Sequence, residues 1–353
     1  ISAGGGFTST PQTLEIVVNS GETHALKASI PVTSMPQEHG WYSADLHHHS
    51  DVLDGFTQAS FVLRSELAAG IDIAFLSDHD SVVNNNEMQI LSNLRGMFFI
   101  AGTELSPSWA HFNAYPLDDG KTMDIDTGQA SVQEIFAAAR RMGADIIEVN
   151  HPYSEYGYFH SLELRTPGGE ETSGVVPGGY DSGFDLVEIT PEDNTHTIKR
   201  VWQLWNDGHK VYLAAGSDVH NVWFEESGSA RTYVHIDGEL SIEKFVESLK
   251  AGHAFASQGP LVYPHIIFGT EVQHKVDTML ALEYRVTAVS GLRSVQLIER
   301  GQQIEARTFE ATVRPVQVDF SVRPEVDTWY SLVIEDVNGR IAYTNPVWVM
   351  VTK

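Results

Sequence analysis

The sequence predicts an α/β fold from about residue 41 to 262, followed by an antiparallel β-sandwich. Three observations carry this. Between Trp41 and about Pro260, short apolar runs alternate with amphipathic stretches at helical spacing. Beyond Pro264 the chain changes to polar–apolar alternation broken by turn residues such as Asn338-Gly339. Finally, acidic and imidazole side chains recur at one end of successive strands, a phase that scattered residues would not keep.

The elements follow in order. Residues 1–10 are small and polar, with Gly4, Gly5 and Gly6 in a row. Runs at 12–17 and 24–30 read as short strands around an Asn-Ser-Gly-Glu turn, joining the sandwich or capping the barrel. Strands are then expected at 42–47, 71–77, 97–102, 145–150, 185–190, 211–216 and 232–236. Helices are expected at 57–69, 84–94, 131–142, 195–207 and 241–251. In the third of these, Val132, Ile135, Phe136 and Ala139 make one apolar stripe. Such alternation argues for a parallel sheet or barrel. Further strands are expected at 280–289, 293–299, 305–313, 315–322, 329–336 and 341–351. The domains are therefore a β segment over 1–40, an α/β unit over 41–262 and a β-sandwich over 263–353. One connection, 153–183, is long and carries Tyr153, Tyr156, Tyr158, Phe159, His160 and Tyr180. Long loops of this kind are lids or binding loops more often than plain insertions.

Composition narrows the chemistry. The 353 residues hold 47 Asp and Glu against 22 Lys and Arg, a net charge of −25, with 16 His and no Cys. No disulfide framework, thiolate metal site or cysteine nucleophile is available. No basic run suits a nucleic acid or an anionic membrane, and no apolar stretch reaches the roughly 20 residues that span a bilayer. The expected partner is a small molecule, with no nucleic acid and no membrane. A periplasmic or secreted location is expected ahead of a cytoplasmic one.

The strand ends carry the chemistry. His47-His48-His49 with Asp51 and Asp54 follows the first strand of the alternating region. Asp78-His79-Asp80 follows the second, and Glu104 and His111 the third. Asn150-His151-Pro152, then Glu192, Asp193 and His196, then Asp218-Val219-His220 follow the next three. In α/β barrels this face holds the active site, because the βα loops converge there. His47 and His49, at i and i+2 on an extended chain, share a side, and His48 points away. Carboxylate and imidazole are the ligands that divalent metals take when thiolate is absent. Alternatives stand beside two of these residues: Asp78 also suits a helix N-cap, and His111 a satisfied core histidine.

Residues 41–260 resemble the polymerase and histidinol phosphatase (PHP) superfamily of metallohydrolases. Within it they look like the branch named after carbaryl-type carbamate hydrolases. The matching pieces are 45–55, Leu76-Ser-Asp-His-Asp80, Gly102-Thr-Glu104, His111-Phe-Asn-Ala114, Asn150-His-Pro152 and Gly216-Ser-Asp-Val-His220. Arg231-Thr-Tyr-Val234, Leu249-Lys-Ala-Gly-His253 and Ser257-Gln-Gly-Pro260 add branch-level agreement. The resemblance implies a distorted (β/α)7 barrel with a trinuclear centre. His47, His49, Glu104 and Asp218 would hold one metal. Glu104 would bridge to a second on His111 and His151, and Asp54, His79 and His220 would hold a third. Two to three divalent ions are expected, zinc ahead of manganese or iron. A bridging hydroxide would attack a phosphoester, first of all a phosphodiester, with Asp78, Asp218 or His220 moving the proton. Arg231 is a candidate to hold a substrate oxygen, and equally a surface ion pair. The alternatives are a carbamate, ester or amide hydrolase on the same centre, and a non-catalytic metal-binding module serving the β-sandwich.

Overall fold

A computed structural model gives the fold and describes residues 1–118, 120, 123–163, 176–191 and 194–353. The α/β unit runs β1 (Trp41–Ala44), α1 (Ala59–Ala68), β2 (Ile73–Leu76), α2 (Asn85–Arg95), β3 (Phe98–Ala101), β4 (Thr103–Leu105) and β5 (Phe112–Tyr115). It continues with α3 (Val132–Arg141), β6 (Ile146–Val149), α4 (Tyr158–Glu163), β7 (Leu186–Ile189), α5 (Thr195–Asn206), β8 (Tyr212–Ala215), β9 (Arg231–His235), α6 (Ile242–Lys250) and β10 (Ala254–Ser257). Two helices, α3 and α6, start at side-chain caps. Ser131 and Glu134 close a reciprocal capping box on α3, and the Ser241 hydroxyl accepts from the Lys244 N–H on α6. The expected apolar stripe of α3 is buried.

The barrel expected from the resemblance is not one continuous sheet here. Strands β1, β2 and β3 are parallel neighbours, and so are β6, β7 and β8, but β4–β5–β6 run antiparallel. The last strand of the alternating region is also reversed, since β9 pairs antiparallel with β1 and with β10. Two groups of strands result, joined by isolated parallel bridges at His48–Val219 and His79–Glu104. Both seams sit among the strand-end residues that carry the chemistry. Ala44, Phe75, Ile100, Phe112, Ile147, Val187 and Leu213 fill one core between the two groups.

The C-terminal strands are β11 (Leu261–Pro264), β12 (Glu271–Lys275), β13 (Leu280–Thr287), β14 (Leu292–Glu299) and β15 (Gln302–Thr312). They end with β16 (Val316–Val322), β17 (Thr328–Asp336), β18 (Ile341–Thr344) and β19 (Val347–Thr352). The single run expected at 341–351 is two strands, because Pro346 has no N–H to continue a ladder. Strands β11, β13 and β16 form one sheet. Its Leu282, Tyr284, Val286 and Phe320 share a core with Val295, Leu297, Leu332 and Val347 of the larger sheet. That larger sheet does not stop at residue 262. It passes from β9 through β10 to β18 and β17, so backbone hydrogen bonds join the α/β unit to the C-terminal strands.

Two further expectations change. Residues 12–17 and 24–30 form no strands, and Leu14, Ile16, Val17 and Leu26 are exposed. A lone two-stranded ribbon with no sheet to cover its apolar side is marginal in water. The segment 153–183 is not structureless where described: it contains α4, with Tyr158 and Phe159 buried in the main core. The rest of the expected lid, 164–175, lies outside the described residues, as do Glu192 and Asp193.

Candidate metal centre

The strand-end residues converge. His47 and His49 leave β1 on one side, and their Nε2 atoms stand 3.1 Å apart, each 3.1 Å from Asp218 Oδ1. Glu104 sits at the hub, fully buried. Its Oε1 is 3.2 Å from His47 Nε2, 3.2 Å from His111 Nδ1 and 3.3 Å from His151 Nε2. Its Oε2 is 2.8 Å from His79 Nδ1 and 3.5 Å from His49 Nε2. Asp54, more exposed, places its two oxygens 3.5 Å from His79 Nε2 and 3.6 Å from His220 Nε2. All nine sequence-named donors are thus in one cluster.

The geometry suits ions. Donors about 2.1 Å from a tetrahedral metal stand about 3.4 Å apart, close to the spacing observed. His49 Nδ1, His111 Nδ1 and Glu104 Oε2 are buried without an aligned hydrogen-bond partner. Buried polar atoms rarely stay unsatisfied, so lone pairs facing each other without such alignment point to a shared cation. The donors fall into four overlapping groups: His49, His79, His220; His47, His49, Glu104; His47, His151, Asp218; and His79, Glu104, His111. His49 therefore joins the third set that the resemblance gave to Asp54, His79 and His220. His151 and Asp218 both have positive φ, 25° and 55°, a strained backbone of the kind that functional sites retain.

The charges interlock. Burial works against ionisation of Glu104, but His47 and His111 outweigh it and hold its carboxyl well below the ordinary glutamate value. For Asp218, burial is likewise outweighed by His47 and His49, and its pKa falls. A carboxylate held ionised in this way suits metal ligation better than proton acceptance. Burial pushes His49 down to about 3, so its imidazole is neutral and free to ligate.

Sequence reasoning missed the groups that hold these ligands. Glu188, fully buried on β7, places Oε1 2.8 Å from His47 Nδ1, and its Oε2 accepts the His151 N–H at 2.6 Å. Gly216 makes room for it: a Cβ there would lie 2.3 Å from His47 Cβ and 2.9 Å from Glu188 Oε1. Asn150 Nδ2 donates to Glu104 Oε1 at 2.7 Å. Ser106 Oγ is 2.7 Å from His79 Nδ1, and Ser154 Oγ is 2.9 Å from His151 Nδ1. Asp45 accepts from the Ser217 and Gly228 N–H groups, each at 2.7 Å. The available signal was an acid inside an apolar strand, as in Ile-Ile-Glu-Val at 146–149 and Leu-Val-Glu-Ile at 186–189.

Two expected residues do not join the cluster. Asp78 is a brace and not an N-cap: both oxygens accept from Ser50, its N–H at 2.7 Å and its hydroxyl at 2.6 Å. Arg231 is buried, donates to Gly228 O at 2.9 Å and Ala69 O at 3.2 Å, and covers the Phe7 ring at 3.9 Å. It is neither a surface ion pair nor placed to hold a substrate oxygen. His48 faces away as expected, with Nε2 2.8 Å from Ser227 Oγ.

A cavity of about 400 Å³ opens beside the donors, lined by His151, Ser154, Tyr156, Ser217, Asp218 and Glu225 among others. No Lys or Arg lines it among the described residues. The Tyr156 ring stacks on His111 at 5.5 Å and 9°.

Fold and site together define an α/β protein built to hold divalent metal ions. No protein-family model matches the chain. It is 32% identical over 206 residues to a 5′-3′ exoribonuclease of Haemophilus influenzae. That match takes in 56% of this chain and 66% of the relative's length. A two-domain protein of Bacteroides vulgatus, described as containing a predicted PHP-like metal-dependent phosphoesterase, has a similar fold. The TM-score is 0.51 at 14% identity, over 87% of this chain and 95% of that one. Endonuclease Q of Pyrococcus furiosus matches at TM-score 0.42 and 13% identity, over 60% of this chain and 56% of that one.

Proposed function

We propose that the chain is a PHP-type metal-dependent hydrolase that cleaves phosphoesters, phosphodiesters first. One observation carries the reading: Glu104 is buried within 3.5 Å of five imidazoles, with Asp218 3.1 Å from two of them, all at ligand spacing. Degenerate modules lose such donors, so the intact set favours an enzyme over a non-catalytic module. Two to three ions, zinc ahead of manganese or iron, would fit these donors. When bound, such ions bring the pKa of water from 15.7 to about 7 and polarise a phosphoryl or carbonyl oxygen. His47, His49, Asp218 and Glu104 would hold one ion, with His111 and His151 beside Glu104 for a second. His49, His79, His220 and Asp54 would hold the third. Glu188 orients His47 and His151, and Tyr156 forms an apolar wall against which a substrate group packs.

The H. influenzae relative is named for acting on RNA, which stands against the expectation of no nucleic-acid partner. A net charge of −25 and a cavity with no Lys or Arg among the described residues that line it support a small diester over a polymer. The same cavity favours one second reading, a carbamate or ester hydrolase of the carbaryl type, because a neutral substrate needs no protein cation. Metal-replete protein assayed in parallel on p-nitrophenyl phosphate, bis-p-nitrophenyl phosphate and 1-naphthyl methylcarbamate separates them. Fastest turnover of the diester supports the proposal; turnover of the carbamate alone replaces it with the second reading.

A further inference from the structure

The cavity beside the donors does not end at the α/β unit. A second cavity, of about 260 Å³, shares Pro191, Glu226 and Ser229 with it. The far walls of the second are Gly5, Gln258, Asn338, Gly339 and Arg340. The two cavities therefore adjoin at those three residues and are together called the groove, between the metal donors and the turn that joins β17 and β18. Arg340 is the one cation lining either cavity among the described residues. Its Nη1 donates to Gly5 O at 3.1 Å, and no carboxylate of the described residues lies within ion-pair distance of its guanidinium.

The turn that presents Arg340 is fixed. Asp336 Oδ1 accepts the N–H groups of Asn338 and Arg340, each at 2.9 Å. The Ser257-Gln-Gly-Pro260 motif, which the metal centre does not use, locks this turn to the groove. Gln258 Nε2 donates to Thr190 O at 3.2 Å and Pro191 O at 3.1 Å, and its Oε1 accepts the Ile341 N–H at 3.2 Å. Gly259 leaves space for the arginine stem, since a Cβ there would stand 3.2 Å from Arg340 Cδ. A preorganised guanidinium without an acidic partner, in a chain with excess carboxylate, is set to pair with an oxyanion from outside.

We infer that Arg340 forms a distal anion subsite contributed by the C-terminal β region, and that the substrate is an ester bearing a second anionic group away from the bond cleaved. This rests on the hydrolase reading, with the metals taking the scissile group. The test is calorimetric binding of α,ω-alkanediol bisphosphates, from propane to hexane, and of the matching monophosphates. It uses metal-loaded wild type, Arg340→Gln and Arg340→Lys with no free metal in solution. At the matching length the bisphosphate should bind wild type at least about fivefold tighter than its monophosphate. Arg340→Gln should lose that advantage with unchanged metal content and melting temperature, and Arg340→Lys should keep part of it. An equal advantage in Arg340→Gln, or none at any length in wild type, overturns the subsite. Should Arg340→Gln fail to fold, Arg340→Lys decides, since an undiminished advantage there at every length would overturn the fork-specific contact. Wild type that binds bisphosphates through Arg340 yet hydrolyses neither p-nitrophenyl phosphate nor bis-p-nitrophenyl phosphate would refute the phosphoesterase reading and leave the subsite standing.

Discussion

The Nδ1 atom of His47 stands 2.8 Å from Glu188 Oε1, with both side chains fully buried. With a metal bound, this pairing would keep the His47 proton on Nδ1 and leave Nε2, which faces Glu104 and Asp218, free to ligate. Through its other oxygen Glu188 also holds the His151 backbone. Glu188→Gln removes the charge with little change of shape. It should weaken metal binding about 10- to 100-fold in competition with a fluorescent chelator. Wild-type affinity in that variant would show that the contact has no bearing on the centre.

The phase of the first strand gives a second prediction. His48 faces Ser227 and the His49 carbonyl, away from the donors. His48→Ala should keep the metal content and cost about 1 kcal/mol of stability through the lost hydrogen bond to Ser227, whose hydroxyl keeps Ser65 Oγ as a partner at 2.7 Å. His49→Ala should lose metal. Elemental analysis of both variants checks this, and equal metal loss would show the strand phase to be wrong.

These two residues illustrate what the sequence disclosed. The alternation of His47, His48 and His49 follows from the two-residue period of an extended chain, so local order was enough to sort them. The donors His151 and Asp218 were legible because each follows an apolar strand, and Glu104 and His111 because they lie just beyond the apolar run at 97–102, although Glu104 is itself inside β4 and His111 directly precedes β5. Glu188 was not, since a buried acid in Leu-Val-Glu-Ile gains its meaning only from His47, 141 residues away. Arg231 was misplaced for the same reason: Phe7 and Ala69, which take its guanidinium, come from distant segments. The reversed β9 and the β4–β5 hairpin also escaped, because strand direction is set by long-range pairing and not by composition.

Protons compete with metal at these ligands. The imidazole of His47 titrates well above the usual value: burial opposes its charge, but Asp218 and Glu188 outweigh burial. His79 and His151 are raised as well, since Glu104 outweighs burial at each. In the metal-free protein these histidines hold protons that ligation must displace, so affinity rises with pH. A chelator should strip metal faster at pH 5.5 than at 7.5. The reverse order would contradict the assignment of imidazoles as ligands.

Glu66 makes a prediction far from the donors. It is buried on α1 with Oε1 accepting the Phe75 N–H at 3.0 Å and Oε2 without a partner. Burial raises its pKa well above the ordinary value of 4.5. The folded state therefore keeps a proton that the unfolded chain releases, and stability falls as pH rises from that value through the folded pKa. Glu148, pushed up to about 8 by burial and then by Glu188, acts with the same sign. Urea unfolding of the metal-free protein between pH 5 and 9 should show this decline, and Glu66→Gln should flatten it. An unchanged slope would mean that Glu66 is ionised in the fold.

The most direct test of a metal-dependent phosphoesterase is bis-p-nitrophenyl phosphate hydrolysis by protein loaded, stripped and reloaded with zinc or manganese, with Glu104→Gln alongside. The account predicts turnover that a chelator abolishes, metal restores and Glu104→Gln lowers by at least about 100-fold. Undiminished turnover after complete metal removal, or none from protein carrying two or more ions per chain, would contradict it.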